Sequence, residues 1–165
     1  MYNRVKSTFW KMSRPDSNCG SFALGVEEWF YPYNCEGDEL EESRDGIIDY
    51  MSELGCTREE IMETLLIADT EVILQECPWV EQISLEEAED DDRVVAYRVY
   101  YNEYDPDDTD FHFRVRINGF WFEKCGEHPI RFCGTFADEE PWLGQADILY
   151  DSEVCYFRFK KEESK

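Results

Sequence analysis

The dipeptide Asn118-Gly119 constrains the fold of this chain more than any other feature of its sequence. Asn-Gly between two strand-like segments is the strongest short-range signal for a β-hairpin with a two-residue turn. Residues 109–117, which precede it, alternate apolar and polar side chains, and residues 120–124, which follow it, are rich in aromatic side chains. Both patterns are typical of strands, so the sequence predicts an antiparallel hairpin here.

The register of this hairpin determines which polar side chains share a face. A two-residue turn places Ile117 opposite Phe120. Five residues further from the turn on each strand, His112 then lies opposite Cys125. Strand residues two apart lie on the same face, so Glu123 lies one diagonal step from His112. The register therefore predicts that the imidazole and this carboxylate lie within reach of each other.

Helical signals precede the strands. In three early segments apolar residues recur at steps of three and four, which is the spacing of one helix face. The predicted helices cover residues 19–31, 43–54 and 57–76. Ser43 is the expected N-cap of the second helix and Thr57 that of the third.

From residue 93 onward the spacing changes to that of strands. Residues 93–101 combine β-branched and aromatic side chains and predict a strand that is largely buried. Further strands are predicted at 130–133, 147–150 and 154–159, with a turn at 141–144. Helices followed by strands indicate an α+β fold, in which N-terminal helices (about 19–77) pack on an antiparallel sheet (about 93–159).

Length and composition favour one folded domain over residues 1–165. The chain has 165 residues, of which 42% are hydrophobic and 16% aromatic, and this is too apolar for a disordered chain. It contains no apolar run of about 18 residues, and Met1 to Lys6 lead into no apolar segment of the kind found in signal peptides. We therefore expect a cytoplasmic protein that does not enter a membrane.

The net charge limits the partners that the chain can bind. Sixteen basic and 39 acidic residues give a formal charge of −23, which repels nucleic-acid phosphates, so direct nucleic-acid binding is not expected. The acidic residues cluster at 36–45, 86–92, 103–110 and 138–140. These clusters either form solvated surfaces or create a field that attracts a basic protein.

The seven cysteines predict reduced thiols rather than a disulfide framework, because their number is odd and no export signal precedes them. No CxxC pair occurs. Cys125, His128 and Cys133 come closest to a metal-binding pattern, but they lack a fourth ligand. We therefore predict neither a metal nor another cofactor.

Cys19 is the thiol placed best for chemistry, because it stands where a loop meets the first predicted helix. A helix start favours the thiolate over the thiol. A catalytic thiol also needs a base, here His112, and a polar group that orients the base, here Glu123. The same residues also have a purely structural interpretation, in which Cys19 is a buried packing residue, His112 a structural histidine and Glu123 a surface carboxylate.

Three short motifs resemble those of papain-like cysteine hydrolases of the NlpC/P60 and CHAP type, in particular a bacterial and phage group with Asn-Cys and Asp-aromatic-His-Phe motifs. The residues concerned are Asn18, Cys19, Ala23 and Leu24, then Asp110, Phe111, His112 and Phe113, then Gly119, Trp121, Lys124 and Gly126. The resemblance implies a papain-like fold that hydrolyses an amide or peptide bond. It implies Cys19 as nucleophile, His112 as base and Glu123 as orienting residue.

The remaining site predictions follow from position. The residues around Ser13 offer no glutamine for an oxyanion hole, so the backbone N–H of Cys19, supported by Asn18, is the expected donor. Arg114 and Arg116 share the face of His112 and, with Trp121, are the predicted substrate-binding residues.

Two functions from different classes are therefore open. The first is a cysteine hydrolase with a peptide or amide substrate. The alternative is an acidic inhibitor of the anti-CRISPR kind, encoded by a phage, which binds the basic nucleic-acid groove of a host defence protein and needs no catalysis. A degenerate hydrolase reused as a binding scaffold would combine the two.

Overall fold

The structure is a computed structural model that describes residues 17–33, 44–105, 108–135 and 141–161. Within these ranges three helices precede an antiparallel sheet, so the predicted α+β class is confirmed. The helices are α1 (Cys19–Leu24), α2 (Arg44–Glu53) and α3 (Arg58–Glu76). None of the helices in the described ranges is long and apolar enough to cross a membrane. The predicted cap Ser43 and the acidic stretches at 36–43 and 138–140 lie outside the described residues.

Helix α1 ends seven residues earlier than the sequence predicts. Gly25 adopts a left-handed conformation with φ of 76°, and its N–H donates to the carbonyl of Ser21 at 2.9 Å. This geometry ends a helix and favours glycine, because other side chains are strained there. The prediction that the helix continues to Tyr31 is therefore wrong, although Phe30 in the following loop is buried.

Helix α3 begins and ends where its sequence signals predict. Thr57 caps it, with its Oγ1 accepting from the N–H of Glu60 at 3.3 Å while the Glu60 carboxylate accepts from the N–H of Thr57 at 2.8 Å. This reciprocal pair is the predicted capping box, and it satisfies two donors that the first turn leaves free.

The described residues form eight strands: β1 (Val80–Ile83), β2 (Val94–Tyr101), β3 (Thr109–Ile117), β4 (Phe120–Lys124), β5 (Ile130–Gly134), β6 (Trp142–Leu143), β7 (Leu149–Tyr150) and β8 (Cys155–Phe159). Six of them form the main sheet, in the order β1-β8-β2-β3-β4-β5, and all neighbours are antiparallel. A separate pair, β6 and β7, forms a small second sheet.

The predicted hairpin register is confirmed. Ile117 pairs with Phe120 and Arg114 with Glu123, and Asn118 and Gly119 both have positive φ in the turn between them. Continuing the same register places His112 opposite Cys125, just beyond the last residue of β4.

The two faces of the main sheet carry different cores. The helices pack on the face that carries Tyr97 and Phe113, and this face forms the larger core. On the opposite face, Trp142 and Tyr150 from the β6–β7 pair join Ala96 and Trp121 in a smaller core. His112 belongs by alternation to this second face.

Two elements differ from the sequence prediction. Residues 141–144 were predicted as a turn, but β6 begins at Trp142 and pairs with β7. Strand β1 was not predicted, and it lies at the edge of the sheet against β8. Strand β1 pairs with a segment distant in sequence, and β6 has only two residues, too few to show a strand pattern.

Candidate active site

Cys19 is the first residue of α1, and the residue before it holds this helix start in place. Asn18 caps the helix, because its Oδ1 accepts from the N–H of Ser21 at 3.0 Å. The same side chain clamps the loop that returns from α1, with its Nδ2 donating to the carbonyl of Phe30 at 2.8 Å and its Oδ1 accepting from the Phe30 N–H at 3.2 Å. Asn18 thus positions Cys19, and its predicted part in an oxyanion hole stays a prediction.

Lys124 joins the end of β4 to the segment that enters α1. Its side chain is fully buried, and its Nζ donates to the carbonyl of Ser17 at 2.6 Å and to the carbonyl of Gly126. Fully buried lysines are rare unless their donors are satisfied. This contact holds the chain just before Cys19 against the chain around Cys125.

His112 lies at the centre of the cluster and is only 4% exposed. Its Nε2 lies 3.0 Å from Oε2 of Glu123, and the thiols of Cys19 and Cys125 both lie within hydrogen-bonding reach of the ring. Burial alone lowers the pKa of His112, but hydrogen bonds to Cys125, Cys19 and Glu123 outweigh burial and hold that pKa well above its ordinary value. The structure therefore brings together the three residues predicted as catalytic and adds a second thiol.

Glu123 is fully buried and surrounded by cationic donors. Arg114 Nε donates to its Oε2 at 2.8 Å, and Arg131 donates to Oε1. Burial raises the pKa of Glu123, but His112 and Arg114 outweigh burial and hold that pKa well below its usual range. A permanent carboxylate at Nε2 keeps the proton on that nitrogen, and Nδ1 is the ring nitrogen that Glu123 does not bind.

The β6–β7 pair covers the imidazole. The ring of Tyr150 stacks on His112 with centroids 5.2 Å apart, and its hydroxyl donates to Asp110 at 2.6 Å. Trp142 meets the imidazole edge-on at 6.2 Å, and the guanidinium of Arg114 lies 4.6 Å from the centroid of the Trp142 ring. No role was predicted for Trp142 or Tyr150. The strand predicted at 147–150 was expected to close the main sheet, but β7 pairs with β6 in a separate two-stranded sheet that lies over His112.

The three predicted substrate-binding residues are engaged within the protein. Arg114 binds Glu123 and lies over Trp142. Arg116 donates to the carbonyl of Glu89 at 2.7 Å, and Trp121 is only 5% exposed within the second core. Their binding of substrate stays a prediction.

The groups of the cluster are spaced closely enough to consider a metal. Ligand atoms of His112, Glu123 and Cys125 lie within 4.8 Å of one another. The Glu123 carboxylate, however, already accepts from His112, Arg114 and Arg131, and two fixed guanidinium charges oppose a bound cation. His128 and Cys133, which the sequence grouped with Cys125, do not form such a three-ligand group with it.

Fold and site together define an α+β protein in which an imidazole, oriented by a buried carboxylate, meets two thiols. No family model matches the chain, and neither the curated proteins nor the solved structures contain a match. The function must therefore be argued from the site itself.

Proposed function

We propose that this protein is a papain-like thiol hydrolase that cleaves an amide or peptide bond with Cys19, His112 and Glu123. The observation that supports this proposal best is the environment of His112, whose ring has a buried carboxylate on Nε2 and thiols within reach. This is the arrangement that an activated thiol nucleophile requires, in which a base contacts the thiol and a third group orients the base.

In the proposed reaction Cys19 and His112 start as a thiolate and an imidazolium, and the thiolate sulfur bonds to the substrate carbonyl carbon. The C–N bond then breaks, and the departing amine takes the proton from His112. Water, deprotonated by the same imidazole, cleaves the thioester and releases a carboxylic acid. Glu123 keeps its charge throughout and stabilises the imidazolium, and the backbone N–H of Cys19 is the expected oxyanion donor.

The resting charge of the site supports this scheme. A raised pKa keeps His112 protonated at neutral pH, and an imidazolium stabilises a neighbouring thiolate. Asn18 and Lys124 contribute by position, because together they hold the start of α1 against the end of β4.

Alkylation tests the proposal directly. With iodoacetamide near pH 6 and site-by-site mass spectrometry, Cys19 is expected to react well ahead of Cys56, a half-buried thiol outside the cluster. His112→Ala should remove this advantage, whereas His128→Ala, which changes the only other histidine, should preserve it. Equal labelling of Cys19 in the wild type and in His112→Ala would refute the assignment.

A second function, the binding of a basic protein such as a nucleic-acid-binding defence protein, is favoured by one groove. A groove of about 610 Å³ runs along α3, and its apolar lining residues include Met62 and Leu66. Its acidic lining residues are Glu59, Glu63, Glu71, Asp151 and Glu153. A groove lined by both apolar and acidic side chains complements a basic amphipathic segment. This function does not depend on Cys19.

A further inference from the structure

A second, smaller cleft lies beside the cluster, where the chain leaves β4. It has a volume of about 260 Å³ and is lined by Cys125, His128 and Arg131 and by Leu143 to Gln145, where β6 leads into its connection to β7. Cys125 is half-buried, and its thiol lies within hydrogen-bonding reach of His112. The cleft is therefore lined by a thiol whose sulfur lies within 4.8 Å of a ring nitrogen of His112, whereas Cys19 is only 6% exposed.

The charge of this cleft differs from that of the protein around it. The chain has 39 acidic residues, yet none of the described residues that line the cleft is acidic. Arg131 supplies a positive charge on its wall. Its side chain is 63% exposed even though one nitrogen donates to Glu123. A guanidinium has five N–H donors, so Arg131 retains donors for a second carboxylate.

Two further side chains add to the polarity of the cleft. His128 and Gln145, both exposed, line it with Arg131 and offer further hydrogen-bonding atoms. Leu143 supplies an apolar contact. A site of this size, with a cation, polar groups and an adjacent thiol, suits a small acid whose reactive carbon lies close to its carboxylate.

We propose that this cleft binds the carboxylate of the substrate, with Arg131 as its counter-charge, and that Cys125 lies beside the bound group. The inference rests on the proposed hydrolase function and narrows its substrate class to amides or peptides that carry a free carboxylate near the scissile bond. Arg131 is then a specificity-determining residue, and it contacts the substrate through the guanidinium donors that Glu123 does not use.

Two alkylating reagents that differ only in charge test this proposal. Iodoacetate and iodoacetamide each form a carbon–sulfur bond with a thiolate and release iodide, but iodoacetate carries a carboxylate. At −23 the protein as a whole repels iodoacetate, so the ratio of its rate to that of iodoacetamide should be low at Cys56. At Cys125 we expect a ratio at least about tenfold higher, equivalent to about 1.4 kcal/mol of selective binding.

Variants identify the charge responsible. Arg131→Gln should reduce the ratio at Cys125 to that at Cys56, and Arg131→Lys should retain most of it. Lys160→Gln removes an exposed positive charge elsewhere and should leave the ratio unchanged. Equal ratios at Cys125 and Cys56 in the wild type overturn the proposal without any variant, as does a ratio in Arg131→Gln that matches the wild type.

The same measurements separate this inference from the hydrolase function. His112→Ala should slow both reagents at Cys125 but preserve their ratio, because the ratio depends on Arg131. Iodoacetamide rates at Cys19 that do not depend on His112, with the ratio at Cys125 intact, would contradict the hydrolase function alone. A lost ratio at Cys125, with Cys19 rates that still depend on His112, would contradict only the carboxylate site.

Discussion

At the scale of single residues, two adjacent buried charges organise the site from opposite sides of one strand. Glu123 and Lys124 are both fully buried, and strand alternation directs them to different faces of the sheet. Glu123 orients His112 on one face, while Lys124 holds the carbonyl of Ser17, just before Cys19, on the other. The five residues of β4 thereby position both the imidazole of His112 and the loop that carries Cys19.

The hydrogen bond between Glu123 and His112 leads to a prediction about titration. Glu123→Gln retains an acceptor but removes the charge, so the pKa of His112 should fall. The expected decrease is about 1 to 2 pH units, because a hydrogen bond to a charged group contributes about 1.5–3 kcal/mol and one pH unit corresponds to about 1.4 kcal/mol. NMR of the imidazole carbons measures it readily, since the chain has only two histidines. Glu127→Gln, which changes an exposed carboxylate nearby, is the control, and an unchanged His112 titration in Glu123→Gln would contradict the prediction.

At the scale of elements, a buried ion pair connects the helices to the sheet. Arg44 at the start of α2 donates to Asp69 of α3 at 2.8 Å, and both side chains are at most 5% exposed. The hydroxyl of Tyr97 on β2 donates to the same carboxylate. Burial raises the pKa of Asp69 to about 6, although Arg44 and Tyr97 both act to lower it. The carboxylate of Asp69 is therefore ionised at neutral pH because Arg44 and Tyr97 offset much of the rise in pKa that burial causes.

Removal of one partner should therefore destabilise the protein in a pH-dependent way. Arg44→Met leaves the carboxylate of Asp69 buried without its counter-charge, and we expect a loss of about 3 to 5 kcal/mol in the free energy of unfolding at pH 7.5. The folded-state pKa of Asp69 then rises further above its unfolded value. The stability that protonation confers is present at low pH and lost as the pH rises through the folded pKa, so the deficit should be smaller at pH 5.

Urea denaturation at the two pH values measures this difference. Lys160→Met, which removes an exposed ammonium that donates to the carbonyl of Pro78, is the control and should change stability by less than about 1 kcal/mol. A deficit in Arg44→Met that is equal at pH 5 and pH 7.5 would show that Asp69 does not carry the effect.

The same scale shows which parts of the fold the sequence predicts. The Asn118-Gly119 turn and the capping box at Thr57 are local, so their signals lie within a few residues and both predictions are confirmed. The pairing of β1 with β8 and the cover of His112 by Trp142 join distant segments, and no nearby residue marks them. The predicted end of α1 is wrong for another reason, because the apolar spacing continues beyond the glycine that stops the helix.

The candidate site likewise contains one contact that follows from local sequence and one that depends on distant segments. The proximity of His112 and Glu123 follows from hairpin register alone and is predictable. The approach of Cys19 depends on the contact between Lys124 and Ser17, which joins two distant parts of the chain. The sequence does contain a signal for this contact. Strand alternation places Lys124 on the same face as Phe122, and a charge on an apolar face needs a buried partner.

At the scale of the whole molecule, the charge of −23 predicts how the α3 groove behaves. An amphipathic peptide of lysine and leucine should bind, and its affinity should fall as salt screens the attraction. Neutralising Glu63 and Glu71 in the groove should weaken binding more than neutralising Glu86 and Asp90, which lower the total charge equally from an exposed loop. Fluorescence anisotropy measures both effects.

Two outcomes of this experiment are informative. Cys19→Ser should bind the peptide as the wild type does, because the groove does not include the thiol. Equal weakening by the two charge-neutralised pairs would show that net charge, and not the groove, accounts for binding.

The position of β8 between β1 and β2 has a consequence for the growing chain. As the protein emerges from the ribosome, β1 and β2 are made before β8, and they do not pair with each other. The space between them is filled only by β8, which is made after all the other described strands. Both strands therefore wait with an unpaired edge, the kind of surface that invites pairing with other chains and recognition by chaperones. The order of translation thus makes β8 the strand that completes the sheet.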